Sequence, residues 1–218
     1  MVSNEMEKSM KILVVSAHPD DLEIACSGTL KRLQDQGHSI VSVITIKPSA
    51  ESNPNRTQSI VQSELENSYR LSGFELRVFD TDLHSNGRPN LIADNVTMTR
   101  LCKLFEPCDI AIVPNPQDSH QDHRATYYLA YPALVNLAKE TWLMDSYPYS
   151  LHYKKNTANL FYNISGDAWE FKQTLLECYT SALSVSQVNN IRLCNHYHGM
   201  KAKVDLAEAF TIVQKNVN

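Results

Sequence analysis

A chain of 218 residues with 43% hydrophobic content can enclose a sizeable core and is expected to form one domain over 1–218. Its net charge of −4, with 20 Lys and Arg scattered rather than striped, excludes the basic footprint of a nucleic-acid binder. No stretch approaches the roughly 18 apolar residues of a membrane span, and the opening MVSNEMEKSM is polar, so a soluble cytoplasmic protein without a membrane span is expected.

The five cysteines, Cys26, Cys102, Cys108, Cys178 and Cys194, contain no CxxC pair, and their odd number and wide spacing point to reduced, structural thiols. Apolar β-branched runs alternate with helical patterns, the rhythm of βαβ units. KILVVSA (11–17) predicts a first strand buried on both faces. SGTLKRLQDQG (27–37) predicts a helix with Ser27 or Thr29 as N-cap and Gly37 as its stop. SIVSVITI (39–46) is a second strand, followed by the polar loop KPSAESNPNR.

Helical spacing returns over 57–73, ELRVFD (75–80) makes a third strand, and 91–105 reads as a further helix. DIAIVP (109–114), bracketed by Pro107 and Pro114, is the fourth strand, and the helix expected over 123–140 should kink or break at Pro132. Beyond it, TWLMDSY and NLFYNIS predict two strands and DAWEFKQTLLECY (167–179) an amphipathic helix. VDLAEAFTIV (204–213) predicts a short helix running into a last strand. The expected fold is α/β: a Rossmann-like, mostly parallel sheet with helices on both faces and a mixed C-terminal extension.

Two segments concentrate ionisable groups, AHPDDLE (17–23) after the first strand and PNPQDSHQDH (114–123) after the fourth. In a sheet of order 3-2-1-4-5 these strands are neighbours at the topological switch point, where ligands bind beyond the carboxyl ends. His18, Asp20 and Asp21 would then face His120, Asp122 and His123 across one crevice. Imidazole and carboxylate are the ligand types of a catalytic zinc, which takes three protein ligands and a water. His18 and Asp21 can point inward together from a tight turn, His120 and His123 lie a helical turn apart, and Asp20 is left unligated where a general base is needed.

AHPDDLE followed by SGTL, with SHQDHRAT downstream, resembles the LmbE or PIG-L family of zinc-dependent N-deacetylases. The resemblance implies that His18, Asp21 and His123 hold the zinc and that Asp20 is the general base. It further implies that His120 stabilises the tetrahedral intermediate or protonates the departing amine, with Asp122 orienting or tuning it. Fe²⁺ or Co²⁺ would suit the same donors. The implied substrate is a small N-acetylated sugar, of the N-acetylglucosamine type or a related conjugate, with a thiol-sugar or lipid-linked amide as runner-up.

The chain departs from the family pattern in two places. Tyr179, Thr180, Ser181 and Ala182 stand where many relatives have His-x-Ser-Gln, and Thr45, Ile46 and Lys47 replace a Thr-Asp-Gly run. Arg56 and Arg88 are candidate substrate contacts. Glu23 reads either as a partner of a ligand imidazole or as a first-turn acid favoured by the helix dipole. His38 and His84 are expected at the surface, Tyr127, Tyr128 and Tyr131 in helix packing, while His196 and His198 could line the cleft and His152 has no assigned role. A reading from another class, a Mg²⁺-binding receiver-like signalling module, would join the first acidic pair to Asp80 and Asp82. A homo-oligomer is compatible with all of this.

Overall fold

A computed structural model describes residues 9–49, 56–85, 89–149 and 158–215. Seven strands form one sheet: β1 (Lys11–Ser16), β2 (Ser39–Ile44), β3 (Glu75–Val78), β4 (Cys108–Pro114), β5 (Ala138–Met144), β6 (Leu160–Asn163) and β7 (Ala207–Lys215). Their order is β3-β2-β1-β4-β5-β7-β6, so the expected 3-2-1-4-5 arrangement is present and two further strands extend it. β1 pairs in parallel with both β2 and β4, whereas β7 runs antiparallel between β5 and β6.

The helices are α1 (Asp21–Ala25), α2 (Ser27–Asp35), α3 (Gln58–Ser72), α4 (Asn95–Cys102), α5 (Gln121–Leu137), α6 (Asp167–Leu176) and α7 (Val185–Ala202). Strand alternation sorts the core into two layers. Ile12 and Val14 of β1 join Leu30 of α2, Leu65 and Tyr69 of α3 on one face. Leu13 and Val15 meet Leu101 of α4 and Leu129 and Leu134 of α5 on the other. Burial on both faces is why β1 reads as an unbroken apolar run.

Several boundaries differ from the sequence expectation for identifiable reasons. α4 spans only Asn95–Cys102, because Asp94 caps it by accepting the Thr97 amide at 2.8 Å. α5 starts at Gln121, since His120 is its N-cap, and it passes Pro132 without a break before the chain enters β5. The short helix expected at 204 is absent: Lys203 takes a left-handed turn at φ 59° and the chain goes straight to β7.

α7 was not foreseen. Its buried stripe is Ile191, Asn195, His198 and Gly199, in which one residue is a large hydrophobe, so no apolar period marks it. Gly199 lets the helix approach closely, because a Cβ there would lie 2.5 Å from the Asp205 carbonyl oxygen. Ser184 and Gln187 form a capping box at its start, the one local signal of a helix beginning there.

Neither Ser27 nor Thr29 caps α2 as expected; the N-cap is Cys26, without a side-chain bond. Glu208 of β7 does the work from 179 and 180 residues away, accepting the Gly28 amide at 3.1 Å and the Thr29 amide at 2.7 Å. His38, expected at the surface, is 7% exposed, and its Nδ1 accepts the Met10 amide. All five cysteines are free thiols.

Candidate active site

β1 and β4 are adjacent, and the two acidic histidine segments leave their carboxyl ends side by side. A cleft of about 810 Å³ opens there, and His18, Asp20, Asp21, His120 and Asp122 all line it. Ring centroids of His18 and His120 are 4.8 Å apart, those of His120 and His123 4.9 Å, and those of His18 and His123 5.4 Å. One ring nitrogen from each histidine lies within 4.8 Å of the others.

The turn after β1 is fixed by Asp21. Its Oδ2 accepts the main-chain amides of Ala17 at 3.1 Å and His18 at 2.7 Å, closing the turn over Pro19. Its Oδ1 is then turned toward His123 Nε2 at 3.2 Å, while Oδ2 lies 3.5 Å from His18 Nδ1. Asp20 sits at the N-cap of α1 without a side-chain capping bond.

Asp118 organises the second segment. Its Oδ2 is 2.7 Å from His123 Nδ1 and its Oδ1 accepts the His120 amide at 2.8 Å. With Nδ1 donating to that carboxylate, a neutral His123 ring would turn the lone pair of its buried Nε2 toward the Asp21 oxygen. Two electron-rich atoms held at that separation call for positive charge between or upon them. Nitrogen and oxygen donors of this kind suit Zn²⁺, Fe²⁺ or Co²⁺, so the residues present fit a divalent ion.

The protonation preferences follow from the same crowding. Burial by itself would push His123 down, but Asp21 and the bond to Asp118 outweigh it and raise the imidazole to about 10. His18 is likewise lowered by burial and raised more by Asp21 and Asp122, to about 9. Burial acts to raise Asp21, and the two imidazoles override it and hold the carboxyl well below its usual range. Asp20 moves the other way, raised by burial and then by Asp21 against the opposing charges of His18 and Arg56.

His120 is lowered by burial and by the other two imidazoles. Its Nδ1 accepts the Asp122 amide at 3.2 Å, which leaves the proton of the neutral ring on Nε2. Asp122, assigned to His120 by resemblance, has its Oδ2 3.9 Å from His120 Nδ1 and 3.2 Å from His18 Nε2. The carboxylate thus leans toward His18.

Arg56 lines the cleft near Asp20, whereas Arg88 and His152 lie outside the described residues. Glu23 contacts no imidazole among its hydrogen bonds. It accepts from Ser68 Oγ at 2.5 Å and pairs with the Tyr179 hydroxyl at 2.9 Å, and burial lifts it to about 8. Neither His196 nor His198 lines this cleft: His196 is exposed against the Asp205 carbonyl, and His198 pairs with Asp145 at 3.3 Å. His84, expected as a plain surface residue, does line it. Tyr127 stacks on Tyr131, while Tyr128 is 57% exposed.

Asp80 and Asp82 are absent from the cleft lining and are engaged by Lys47 and Arg100 instead, so the receiver-like grouping does not assemble. Two site residues were not anticipated. Asp118, one of the two acids of its segment, reads from sequence as a helix cap, with Ser119 as the alternative. Tyr149, which packs edge-on against His120 at 5.0 Å and His123 at 5.2 Å, arrives from the loop after β5 and carries no sequence signal of that meeting.

Fold and site together define an α/β protein with a histidine-carboxylate cluster at the switch point of its sheet. Residues 13–134 match the profile of the PIG-L family, described as GlcNAc-PI de-N-acetylase, and the chain belongs to that family. The uncharacterized deacetylase YaiS of Escherichia coli (strain K12) is 28% identical over 153 residues, covering 62% of this chain and 78% of that protein. The N,N'-diacetylchitobiose deacetylase of Pyrococcus horikoshii superposes with a TM-score of 0.75 at 20% identity, over 98% of this chain and 87% of that one. The 4-carboxy-2-hydroxymuconate hydratase GalB of Pseudomonas putida KT2440 superposes with a TM-score of 0.78 at 18% identity, over 96% and 98%. At these identities the two structures share the fold. Among the described residues no helix is long and apolar enough to cross a membrane.

Proposed function

We propose that this chain is a metal-dependent hydrolase that removes the N-acetyl group from an N-acetylglucosamine-type sugar or sugar conjugate. The observation that carries the reading is the meeting of buried His123 Nε2 with Asp21 Oδ1 at 3.2 Å, beside His18, where Asp21 and His18 line a cleft large enough for a sugar. His18, Asp21 and His123 would hold the ion, with zinc the favoured occupant and Fe²⁺ or Co²⁺ suited to the same donors. Such an ion supplies Lewis-acid polarisation of the amide carbonyl and acidifies water.

The chain's own groups divide the remaining work. Asp20, raised above its usual range and lining the cleft, takes the proton from the attacking water. His120, with its proton on Nε2, donates a hydrogen bond to the developing oxyanion, and the proton that Asp20 takes from water passes to the departing amine. Asp122 braces His18, and Arg56 offers a cation to a substrate hydroxyl or phosphate. A continuous sheet that takes β7 between β5 and β6 supports treating 1–218 as one unit, and five free thiols are in keeping with a reducing, cytoplasmic setting.

Amine release from a panel of N-acetylated sugars, nucleotide sugars and thiol conjugates, with and without added Zn²⁺, tests the assignment. Release should require the ion and should fall at least 100-fold in Asp20→Asn while bound metal stays at the parent level. Turnover that persists unchanged in Asp20→Asn would remove the assigned base. No release from any amide with the ion bound would remove the deacetylase reading.

A further inference from the structure

The turn that carries Asp20 and Asp21 is held from behind by residues beyond the segment that matches the family profile. α1 is a helix of five residues with carbonyls that its own amides leave unmet. At its front, the Pro19 carbonyl oxygen accepts the Tyr179 hydroxyl at 2.7 Å. At its back, the Gly28 amide, which a continuous helix would turn to the Ile24 carbonyl, goes to Glu208. The Ile24 oxygen accepts the Lys172 ammonium at 2.7 Å instead.

Both donors come from one stretch, α6 and the turn after it, and both side chains are 0% exposed. Lys172 is itself fixed by Glu208 at 2.6 Å, and the far side of the Tyr179 hydroxyl meets Glu23 Oε1 at 2.9 Å. A carbonyl oxygen can only accept, so in the bond to Pro19 the Tyr179 hydroxyl is the donor. Phenylalanine would fill the same space and lose that tie.

We propose that Tyr179 and Lys172 are positioning residues that clamp the two ends of α1 and thereby aim Asp20 and Asp21 at His120 and His123. The clamp touches neither substrate nor ion; it acts through the main chain of the turn. What the turn does catalytically rests on the function proposed above, but the clamp has its own readout in metal affinity.

The test compares Tyr179→Phe with Tyr69→Phe in the full chain. Tyr69 is a neighbouring buried tyrosine whose hydroxyl bonds Ser42 at 2.6 Å and does not touch the turn. Co²⁺ and Zn²⁺ dissociation constants are measured by competition with a chromogenic chelator, and kcat and KM on whichever amide is turned over. Tyr179→Phe should weaken the ion at least tenfold and lower kcat in proportion with KM within twofold, while Tyr69→Phe should change neither. Equal affinity in Tyr179→Phe and the parent, or equal weakening in Tyr69→Phe, overturns the clamp.

Should Tyr179→Phe not fold, the double variant Lys172→Met with Glu208→Gln releases the other end of α1 and removes both buried charges together. It should weaken the ion likewise, and parent-like affinity in it overturns the clamp. A parent that binds the ion tightly yet releases no amine sinks the deacetylase reading while the affinities still judge the clamp. A parent that binds no divalent ion overturns both.

Discussion

Asp118 shows how much one carboxylate can decide. It takes the Nδ1 proton of His123 with one oxygen and the His120 amide with the other, so it sets both the tautomer of one imidazole and the placement of its neighbour. Replacing it by Asn keeps the shape and turns an amide N–H toward one of the two donors, His123 Nδ1 or the His120 main chain. Asp118→Asn should cost about 10–100-fold in Zn²⁺ affinity, read by chelator competition, with the fold retained by circular dichroism. An unchanged affinity would mean that His123 keeps its lone pair in place without that partner. At this scale the sequence was informative: both segments advertised their chemistry by composition, and His18, Asp20, Asp21, His120, Asp122 and His123 do converge. Tyr149 and the leaning of Asp122 toward His18 were invisible, because each depends on angles set by segments far apart in the chain.

At the scale of elements, the junction between α1 and α2 is where local rules give way. Sequence propensity proposed Ser27 or Thr29 as the cap of α2, yet its first amides are taken by Glu208, and Gly28 lies so close to the residue that follows β6 that a Cβ would sit 2.8 Å from Ile164 Cγ2. Ile164 is 0% exposed and has nowhere to retreat. Gly28→Ala should therefore destabilise the protein by about 1–3 kcal/mol, measured as a shift in the urea midpoint at constant slope. A midpoint equal to the parent's would show that α2 can slide away from the sheet freely. The same interplay explains the elements that were misjudged. α7 packs through a stripe containing one large hydrophobe, and the expected helix at 204 yields to a strand because β7 finds partners on both sides.

At the scale of the whole molecule, the Lys172–Glu208 pair, 0% exposed on both side chains, ties α6 and β7 to the back of the motif turn. Removing one member leaves a buried charge without its counter-ion. Lys172→Met should cost about 3–5 kcal/mol, and the Lys172→Met, Glu208→Gln double variant clearly less, by urea denaturation. Equal losses would mean that packing rather than charge dominates there. The site should also couple to global stability. Zn²⁺ at about 100 times its dissociation constant is expected to add about 2.7 kcal/mol, which a chelator removes, read as a reversible shift of the melting curve.

By itself the sequence determined the strands through β5, the apolar faces that line the core and the six ionisable side chains of the two motif segments. Each of these follows from periodicity or from chemistry written within a few consecutive residues. Only the tertiary structure decided which atom of each side chain faces which, that β7 enters between β5 and β6, and that Glu208, Lys172 and Tyr179 brace a turn some 150–180 residues earlier in the chain. Contacts of that kind leave no local pattern. A hydrogen bond depends on separation in space to a few tenths of an ångström, and that separation is fixed only when the entire sheet has closed around it.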